Sequence, residues 1–327
     1  MNRAAAAGAA LLLALSTLPT VRAAAADVSR SYDLRWTVRV DSFPAGAREG
    51  RIWIAIPQEL PEQSAQGLTV KTAEKWRFVT DPTFHNKVVE VTVPHPRGAL
   101  VVGLAARVLR RPVESPRPAT LTTAERALYL LREALVSLSP RIKTLADSIG
   151  GTSRTRYDYV LASMDYDKTV PGWGNGDSER ACDVHKGNCT DFHSLFMSLS
   201  RAEGVPTMFE MGYETNPAGE TDHVGGYHCW AWFYDDARKA WIPVDISEAD
   251  LHPEETEHNF GHLDANRITF SRGRDVALPD MKGSPLNYLP AGAYAEVDGS
   301  PLTQGVARAI TYTVATEGAT ADPGARR

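Results

Sequence analysis

The sequence predicts an α+β protein in which a small antiparallel β-domain precedes a domain of helices and a second antiparallel sheet. Residues 32–40, "YDLRWTVRV", alternate apolar and polar side chains, and β-rich runs follow at "RIWIAIP", "KVVEVTV" and "ALVVGLAARVL", up to about Leu109. Helical spacing of leucines begins after Thr120, and alternation returns in residues 227–247. The 43% apolar content indicates a globular protein with a sizeable core.

The N-terminus, residues 1–26, is expected to be a signal peptide. Arg3 precedes an apolar stretch that peaks at residues 11–15, and the small residues 23–26 provide a cleavage site before Asp27. The apolar run is too short and too rich in alanine for a membrane span, and it lacks the polar interruptions that an amphipathic helix would require. We therefore expect an exported protein, periplasmic or secreted, with no membrane span.

Charge and histidine spacing exclude two kinds of site. A net charge of −5, from 35 basic and 40 acidic residues, provides no basic patch of the kind that nucleic-acid binding requires. His252, His258 and His262 lie among acidic residues in "LHPEETEHNFGHLD", but their spacing matches no closed zinc motif. We therefore expect no nucleic-acid partner, no metal and no cofactor, and a solvated loop around these histidines.

The stretch "RRPVESPRPAT" is the best candidate for a linker, because proline does not continue a sheet interior and resists helix formation. The predicted division of the chain is a β-domain at 27–110, a linker at 111–120, a second domain at 121–314 and a flexible tail at 315–327.

Helices are expected to open the second domain. "TTAERALYLLREALVSLS" begins with Thr122 and Glu125 in capping-box spacing and continues with leucines at helical intervals to Leu135. A second helix is expected at 140–149 and a third within "TRYDYVLASMDYD". The next stretch, "DKTVPGWGNGDSERACDVHKG", has no periodicity and is expected to be an exposed loop that contains Cys182.

Cys189 lies at the start of a predicted helix, in "KGNCTDFHSLF". The apolar face of that helix consists of Phe192, Leu195, Phe196, Leu199 and Ala202. A thiol in the first helical turn is favoured as a thiolate by unpaired backbone N–H groups and the helix dipole, and the same N–H groups could stabilise an oxyanion. On this segment alone, a packed core cysteine and a nucleophile both fit the pattern, and with three cysteines at least one is expected to lack an intrachain partner.

A later hairpin supplies a base and a carboxylate. "YHCWAWFYDDARKAWIPVDIS" is expected to form strands at 227–234 and 241–247 around a loop at 235–240. If Tyr234 faces Trp241, His228 and Asp245 project from one face as diagonal neighbours on the two strands, about 7–8 Å apart between backbones and within reach of a hydrogen bond. Only an odd error in register would separate them. Cysteine, histidine and aspartate in this arrangement predict an acyl-transfer triad.

Three segments, "GNCTDFHSLFMSLSRAEGVP", "YHCWAWFY" and "WIPVDISEAD", resemble the core motifs of the transglutaminase-like superfamily, papain-like thiol enzymes with a helix-borne cysteine. The most similar branch is the exported bacterial one with an N-terminal β-domain, and the resemblance covers residues 121–294. It implies that the second domain is catalytic, with a papain-like transglutaminase core. It also implies roles for three residues: Cys189 as the nucleophile, His228 as the general base and acid, and Asp245 as the orienting carboxylate.

The resemblance has two departures. Thr190 stands where animal transglutaminases have tryptophan, and their calcium-binding additions are not recognisable here. It therefore supports thiol acyl chemistry on amide bonds of proteins or peptides more than it supports protein cross-linking. Water as the acceptor would give a protease or deamidase, and a primary amine would give a transglutaminase. A catalytically silent binding module that keeps the fold is the alternative.

Several further residues are expected near the site. Cys229 is expected to point away from His228 as a buried core thiol, and a Cys182–Cys189 disulfide is an alternative to a free Cys182. Asp191 is expected to secure the first turn of the nucleophile helix. The candidates for the wall of the substrate cleft are Tyr166, Trp173, Asn188 and Trp230.

Overall fold

A computed structural model describes residues 28–216, 221–289 and 292–315 of the chain. The predicted signal peptide, 1–26, and all but the first residue of the predicted tail, 315–327, lie outside the described residues.

The N-terminal part is built from antiparallel strands, as predicted. The strands are β1 (Arg30–Val40), β2 (Glu49–Ala55), β3 (Gln63–Lys71), β4 (Lys75–Thr80), β5 (Lys87–Pro94) and β6 (Leu100–Arg110). Alternating side chains of β1 are buried, in agreement with the period of two in "YDLRWTVRV".

The second part combines helices with a sheet. Its elements up to the helix that carries Cys189 are β7 (Arg117–Pro118), α1 (Thr123–Leu130), α2 (Pro140–Ile149), α3 (Ser153–Ser163), β8 (Asp165–Tyr166), α4 (Ser178–Val184), β9 (Lys186–Gly187) and α5 (Cys189–Ala202). The later elements are β10 (Thr207–Glu214), β11 (Thr221–His223), β12 (His228–Asp235), β13 (Ala240–Val244), α6 (Ile246–Leu251), a 3-10 turn (Pro253–Glu255), β14 (Arg267–Arg272), β15 (Ala293–Val297), β16 (Ser300–Pro301) and β17 (Val306–Ala315).

Three five-stranded antiparallel sheets organise the chain. The core sheet has the order β14-β10-β12-β13-β7, and α5 packs on it through β12 and β10. The phenylalanines and leucines of α5 are completely buried, so each contributes about 1.5–3 kcal/mol relative to exposure. The predicted α+β architecture, a helix-borne cysteine on an antiparallel sheet after a β-domain, is confirmed.

The chain returns to the β-domain at its end. The other two large sheets have the orders β11-β17-β1-β6-β3 and β16-β15-β2-β5-β4, so β11 and the last three strands pair within N-terminal sheets. The predicted linker also takes part in a sheet, because β7 pairs with β13. The predicted boundaries at 111–120 and 314 therefore do not separate the sheets, since hydrogen bonding depends on strand ends that are distant in sequence.

Two predicted local structures are wrong. The helix that begins at Thr122 ends at Leu130, because Leu131 is extended and its carbonyl accepts a hydrogen bond of 2.7 Å from Arg201. This tertiary contact overrides the helical spacing of the later leucines. The predicted loop before Cys189 contains α4, whose first N–H groups are capped by Asp177, and Cys182 in that helix is buried.

The hairpin has the predicted register but a shorter second strand. Tyr234 faces Trp241 as expected, yet β13 ends at Val244 instead of Ser247. Asp245 is the N-cap of α6, where its carboxylate accepts a hydrogen bond from the Glu248 N–H group at 3.3 Å. A helix therefore begins where the strand was expected to continue. None of the helices in the described part of the chain is long and apolar enough to cross a membrane.

Candidate active site

Cys189 is the first residue of α5, and two neighbouring side chains fix that helix start. Asn188 is the N-cap, and its Oδ1 accepts a hydrogen bond from the Thr190 N–H group at 3.0 Å. Asp191 completes a capping box by accepting from the Asn188 N–H group at 3.0 Å. Within the described residues, the N–H group of Cys189 has no hydrogen-bond acceptor. The positive end of the helix dipole thus lies at the thiol.

Asp191 also binds the glycine-rich segment before α4 to the start of α5. Its carboxylate accepts hydrogen bonds from the N–H groups of Gly174 at 2.7 Å and Gly176 at 3.0 Å. Gly176 has a positive φ of 63°, and a Cβ there would approach the Thr190 Cγ2 to 2.6 Å, so the close approach requires glycine. Asp191 therefore secures more than the first helical turn that the sequence predicted.

His228 and Asp245 are hydrogen-bonded. The Nε2 atom of His228 lies 2.7 Å from Oδ2 of Asp245, and both side chains are buried. Since Nε2 faces the carboxylate, the other ring nitrogen, Nδ1, is the one available to a thiol, and the His228 ring lies close enough to Cys189 for each group to shift the pKa of the other. Burial lowers the pKa of His228, but the charge and hydrogen bond of Asp245 outweigh burial and hold it well above its ordinary value.

The electrostatics favour a thiolate at Cys189. Burial raises the pKa of this thiol, but hydrogen bonds from Cys229 and His228 and the positive charge of His228 lower it further, so it lies well below its ordinary value. Cys229 itself is buried, and burial together with the Cys189 thiolate keeps its pKa well above the ordinary value. Cys229 therefore retains its proton. It is a buried core thiol, as predicted, and its sulfur lies 3.6 Å from Oγ1 of Thr190, the residue that follows Cys189.

Arg267, the first residue of β14, binds the same oxygen of Asp245 that His228 contacts. Its Nε donates to Oδ2 of Asp245 at 3.0 Å, and its Nη1 donates to Glu214 at 3.3 Å and to Asn266 at 2.7 Å. Burial raises the pKa of Asp245, but the charges of His228 and Arg267 outweigh it and hold the carboxyl well below its usual range. No sequence pattern pointed to Arg267, because it lies 22 residues beyond Asp245 on a strand that returns from another element.

Glu248 is a second acidic group near this cluster. Burial, with the charges of Asp245 and Glu214, raises the pKa of Glu248 to about 7. Within the described residues, Glu214, His228 and Glu248 are the one group of side chains whose ligand atoms could converge on a metal ion. Arg267 lies against both carboxylates, with Nη2 at 3.9 Å from Glu248, and already supplies the positive charge there. We assign no metal to this cluster.

His193 is a buried histidine that the sequence reasoning missed. Its Nδ1 donates to the carbonyl of Cys189 at 2.7 Å, and its Nε2 accepts from the N–H group of Ile246 at 3.0 Å. Burial lowers its pKa, so a neutral ring fits this pattern of one donor and one acceptor. His193 therefore ties the helix of Cys189 to the start of α6. Its position four residues after Cys189, one helical turn away, was the available signal.

The four predicted cleft residues have different surroundings. Trp173 is 40% exposed, and Tyr166 is half-buried with its ring 6.3 Å from that of Phe192. Asn188 is buried as the helix cap, and its Nδ2 donates to the hydroxyl of Tyr227 at 2.9 Å. Trp230 is completely buried and donates to Glu210 at 2.8 Å, so it cannot contact a substrate in this conformation.

The structure also bears on the alternative Cys182–Cys189 disulfide and on the histidines of residues 252–262. All three cysteines are free in the described residues, so the Cys182–Cys189 disulfide is absent, and burial raises the pKa of Cys182 to about 11. His258 stacks on His262 and bonds to Asp264 at 2.9 Å, and the described residues around these histidines form no convergent metal group.

Comparison with known proteins gives one family match. Residues 137–246 match the family model of the transglutaminase-like superfamily, a range that contains Cys189, His228 and Asp245. A curated "Uncharacterized protein" of Haemophilus influenzae (strain ATCC 51907 / DSM 11121 / KW20 / Rd) is 31% identical over 179 residues, covering 45% of this chain and 48% of that protein. The chain thus spans about half the length of this relative.

One solved structure shares the fold of this chain. The structure of "a Putative Cysteine Protease from Cytophaga hutchinsonii" superposes with a TM-score of 0.52 at 11% identity, over 88% of this chain and 98% of that one. A "putative protease from Parabacteroides distasonis ATCC 8503" has 12% identity over 61% of this chain and 43% of that one, with a TM-score of 0.25, too low to imply a shared fold.

Proposed function

Because residues 137–246 carry a transglutaminase-like core, we propose that this protein is an exported thiol enzyme that acts on amide bonds of proteins or peptides. In this proposal Cys189 is the nucleophile, His228 the general base and acid, and Asp245 the carboxylate that orients the ring. The observation that carries it is the buried hydrogen bond between Asp245 and His228, whose ring interacts with the Cys189 thiol at the start of α5.

The first half-reaction forms a thioester. The Cys189 thiolate attacks the amide carbonyl, and the N–H group of Cys189, which has no acceptor among the described residues, donates to the oxyanion. The leaving amine or ammonia takes the proton held by the His228 imidazolium. Asp245 and Arg267 keep the ring oriented during this transfer, since both lie within 3.0 Å of their hydrogen-bond partners.

The second half-reaction resolves the thioester. Neutral His228 now takes a proton from water or from a primary amine, and the acceptor attacks the thioester and releases Cys189. Water yields a protease or deamidase, and an amine yields a transglutaminase. The structure from Cytophaga hutchinsonii is named "a Putative Cysteine Protease". Its support for hydrolysis consists of the shared fold alone.

Export is proposed on the sequence of residues 1–26. Fractionation of expressing cells, with N-terminal sequencing of the mature protein, tests it. The expected result is a chain in the periplasm or medium that begins near residue 27.

Two measurements on the purified protein test the enzymatic proposal. Labelling with iodoacetamide at neutral pH should modify Cys189 much faster than Cys182, whose pKa is raised to about 11. A mixed peptide library, incubated with and without a primary amine, should then show by mass spectrometry cleavage, a deamidation shift or an amine adduct.

Matched variants separate the site from the rest of the chain. Cys189→Ala should abolish every product, whereas Cys182→Ala should keep them. If Cys189 reacts no faster than Cys182, and wild type and Cys189→Ala are equally inert on the library, the enzyme proposal fails. The protein would then be a silent binding module with this fold.

A further inference from the structure

Arg308 occupies a position on β17 where the strand pattern calls for an apolar residue. In the pairing of β17 with β1, Val306 faces Val40, Arg308 faces Val38 and Ile310 faces Trp36. Facing residues of an antiparallel pair project from the same side of the sheet. All three partners on β1 are buried, so the side chain of Arg308 points to the interior side of the sheet.

This inward arginine has no acidic partner among the residues that the structure describes. Within the described residues it forms no ion pair and no hydrogen bond, and its guanidinium stands 5.1 Å from the ring centroid of Tyr213. A guanidinium carries five N–H donors, and a cation–π contact satisfies none of them. A half-buried arginine with free donors is suited to bind an anionic group of a ligand.

A cavity of about 340 Å³ lies beside Arg308. The aromatic rings of Tyr227 and Tyr288 form one wall, with centroids 5.9 Å apart. The rest of the lining is small or apolar and consists of Gly292, Ala293, Val306 and Ala307. An apolar stem could therefore pack on the tyrosines and alanines while a terminal charge meets the arginine.

The cavity is connected to the nucleophile helix. The hydroxyl of Tyr227 accepts a hydrogen bond from the cap residue Asn188 at 2.9 Å and contacts Oγ1 of Thr190 at 3.3 Å. These two residues flank Cys189 directly. Tyr288 closes the same wall, since its hydroxyl donates to the Gly174 carbonyl at 3.3 Å.

Strand parity places Arg308 on the thiol side of the core sheet. Met211 faces Cys229 across β10 and β12, and Tyr213 follows Met211 by two residues, so all three project from one face. The Cys229 thiol donates to Oγ1 of Thr190 at 3.6 Å on that face, and Thr190 directly follows Cys189. The guanidinium over Tyr213 is therefore on the side of the sheet that carries the nucleophile.

We propose that Arg308 and this cavity form a substrate subsite that selects a carboxylate near the reacting amide. This inference rests on the proposed function of Cys189 and names its substrate class: acidic peptides, bound through a side-chain or C-terminal carboxylate. The apolar stem of the acidic residue lies against Tyr227 and Tyr288, and its carboxylate receives hydrogen bonds from the Arg308 guanidinium.

Thiol-reactive peptides test the subsite without knowledge of the natural substrate. The probes are iodoacetyl dipeptides, with a C-terminal amide in the first two series, and the Cys189 thiolate displaces their iodide to form a thioether. One series carries a single glutamate at either position, the matched neutral series carries glutamine, and a third carries glutamine with a free C-terminal carboxylate. The rate of Cys189 alkylation is followed by mass spectrometry on the full-length protein.

Wild type should react at least roughly tenfold faster with one of the carboxylate probes than with its neutral counterpart, the ratio expected for a charge-assisted hydrogen bond. The glutamate and C-terminal series distinguish the two sources of the carboxylate. In Arg308→Gln this ratio should fall to near one, and Arg308→Lys should keep part of it. Arg35→Gln, which removes the same charge from the exposed face of β1, should keep the wild-type ratio.

The outcomes separate the subsite from the enzyme. Equal rates for acidic and neutral probes in wild type, or a preference that survives in Arg308→Gln, overturns the subsite while leaving an activated Cys189 intact. Cys189 alkylation by plain iodoacetamide at the rate of Cys182 overturns the proposed function itself. Thermal melts of both Arg308 variants establish that the measured rates belong to folded protein. If Arg308→Gln does not fold, the ratio of alkylation rates is measured in Arg308→Lys instead.

Discussion

The two ends of strand β14 carry arginines that bind buried carboxylates. At its first residue, Arg267 donates from Nε to Asp245 at 3.0 Å, and at its last residue, Arg272 donates from Nε to Glu210 at 2.8 Å. Both carboxylates are completely buried, and in both cases neighbouring positive charge outweighs burial and lowers the pKa. By burial, charge and hydrogen bonding the two pairs are alike.

They differ in the remaining partners of the carboxylate. Glu210 also accepts from the indole of Trp230 at 2.8 Å and lies near the hydroxyl of Thr269 at 3.2 Å, and neither partner titrates near neutral pH. Asp245 is instead bonded to the His228 ring, which contacts Cys189. A buried ion pair is therefore no sign of function by itself. The distinguishing feature is a group beside it that can exchange a proton with a nucleophile.

The strongest test of this difference exchanges the two carboxylates for amides. Asp245→Asn removes the charge that raises the pKa of His228 and should lower kcat by about 10²- to 10⁴-fold on any substrate found in the peptide screen. Glu210→Gln removes an equally buried charge and should lower Tm while kcat of the folded fraction changes less than about threefold. Both values of kcat are measured by enzyme kinetics, with the enzyme concentration taken from titration of the thiol. Comparable losses of kcat in the two variants would show that the Asp245 cluster acts only through stability.

The arginines offer a second, smaller contrast. Arg267→Met leaves the triad residues in place but removes the group that orients Asp245, so kcat should fall by about 10- to 100-fold, with partial recovery in Arg267→Lys. Arg272→Met should leave kcat near the wild-type value. Each variant breaks a buried pair and should cost about 3–5 kcal/mol of unfolding free energy. Equal unfolding costs with unequal kcat would support a positioning role for Arg267, and equal kcat would contradict it.

The sequence predicted the fold and the contact between His228 and Asp245 because both depend on local periodicity. Alternation in β1 and the pairing of Tyr234 with Trp241 follow from the two-residue period of strands, and the capped start of α5 follows from Asn188 and Asp191. These signals lie within short segments, where propensity and pattern agree.

The surroundings of the site could not be predicted in the same way. Arg267 reaches Asp245 from a strand 22 residues further along the chain, and Arg308 belongs to a strand that pairs with β1. The two-residue period of strands predicted that Cys229 and His228 project from opposite faces. His228 is the first residue of β12, and at this strand end both side chains interact with Cys189. Long-range strand order and the geometry of strand ends decide these contacts, and neither leaves a pattern in a single segment.

The smallest expected effect concerns Glu248 and the pH dependence of stability. Its pKa is raised to about 7 in the folded state from an ordinary value of 4.5, so between these pH values the folded protein binds a proton that the unfolded chain has released. The stability that this proton contributes is complete below pH 4.5, the pKa of the unfolded chain, and is lost as the pH rises towards 7.

Wild type should therefore lose Tm between pH 5 and pH 8 by roughly 2–4 °C more than Glu248→Gln, which cannot ionise. Glu125→Gln is the matched control, because the Thr122 bonds lower the pKa of Glu125 and leave it ionised throughout this range. An equal loss of Tm in wild type and Glu248→Gln, measured by calorimetry, would contradict this prediction. It would mean that the charge of Asp245 does not raise the pKa of Glu248 and that the cluster around Arg267, like the one around Arg272, contains no carboxyl group that titrates near neutral pH.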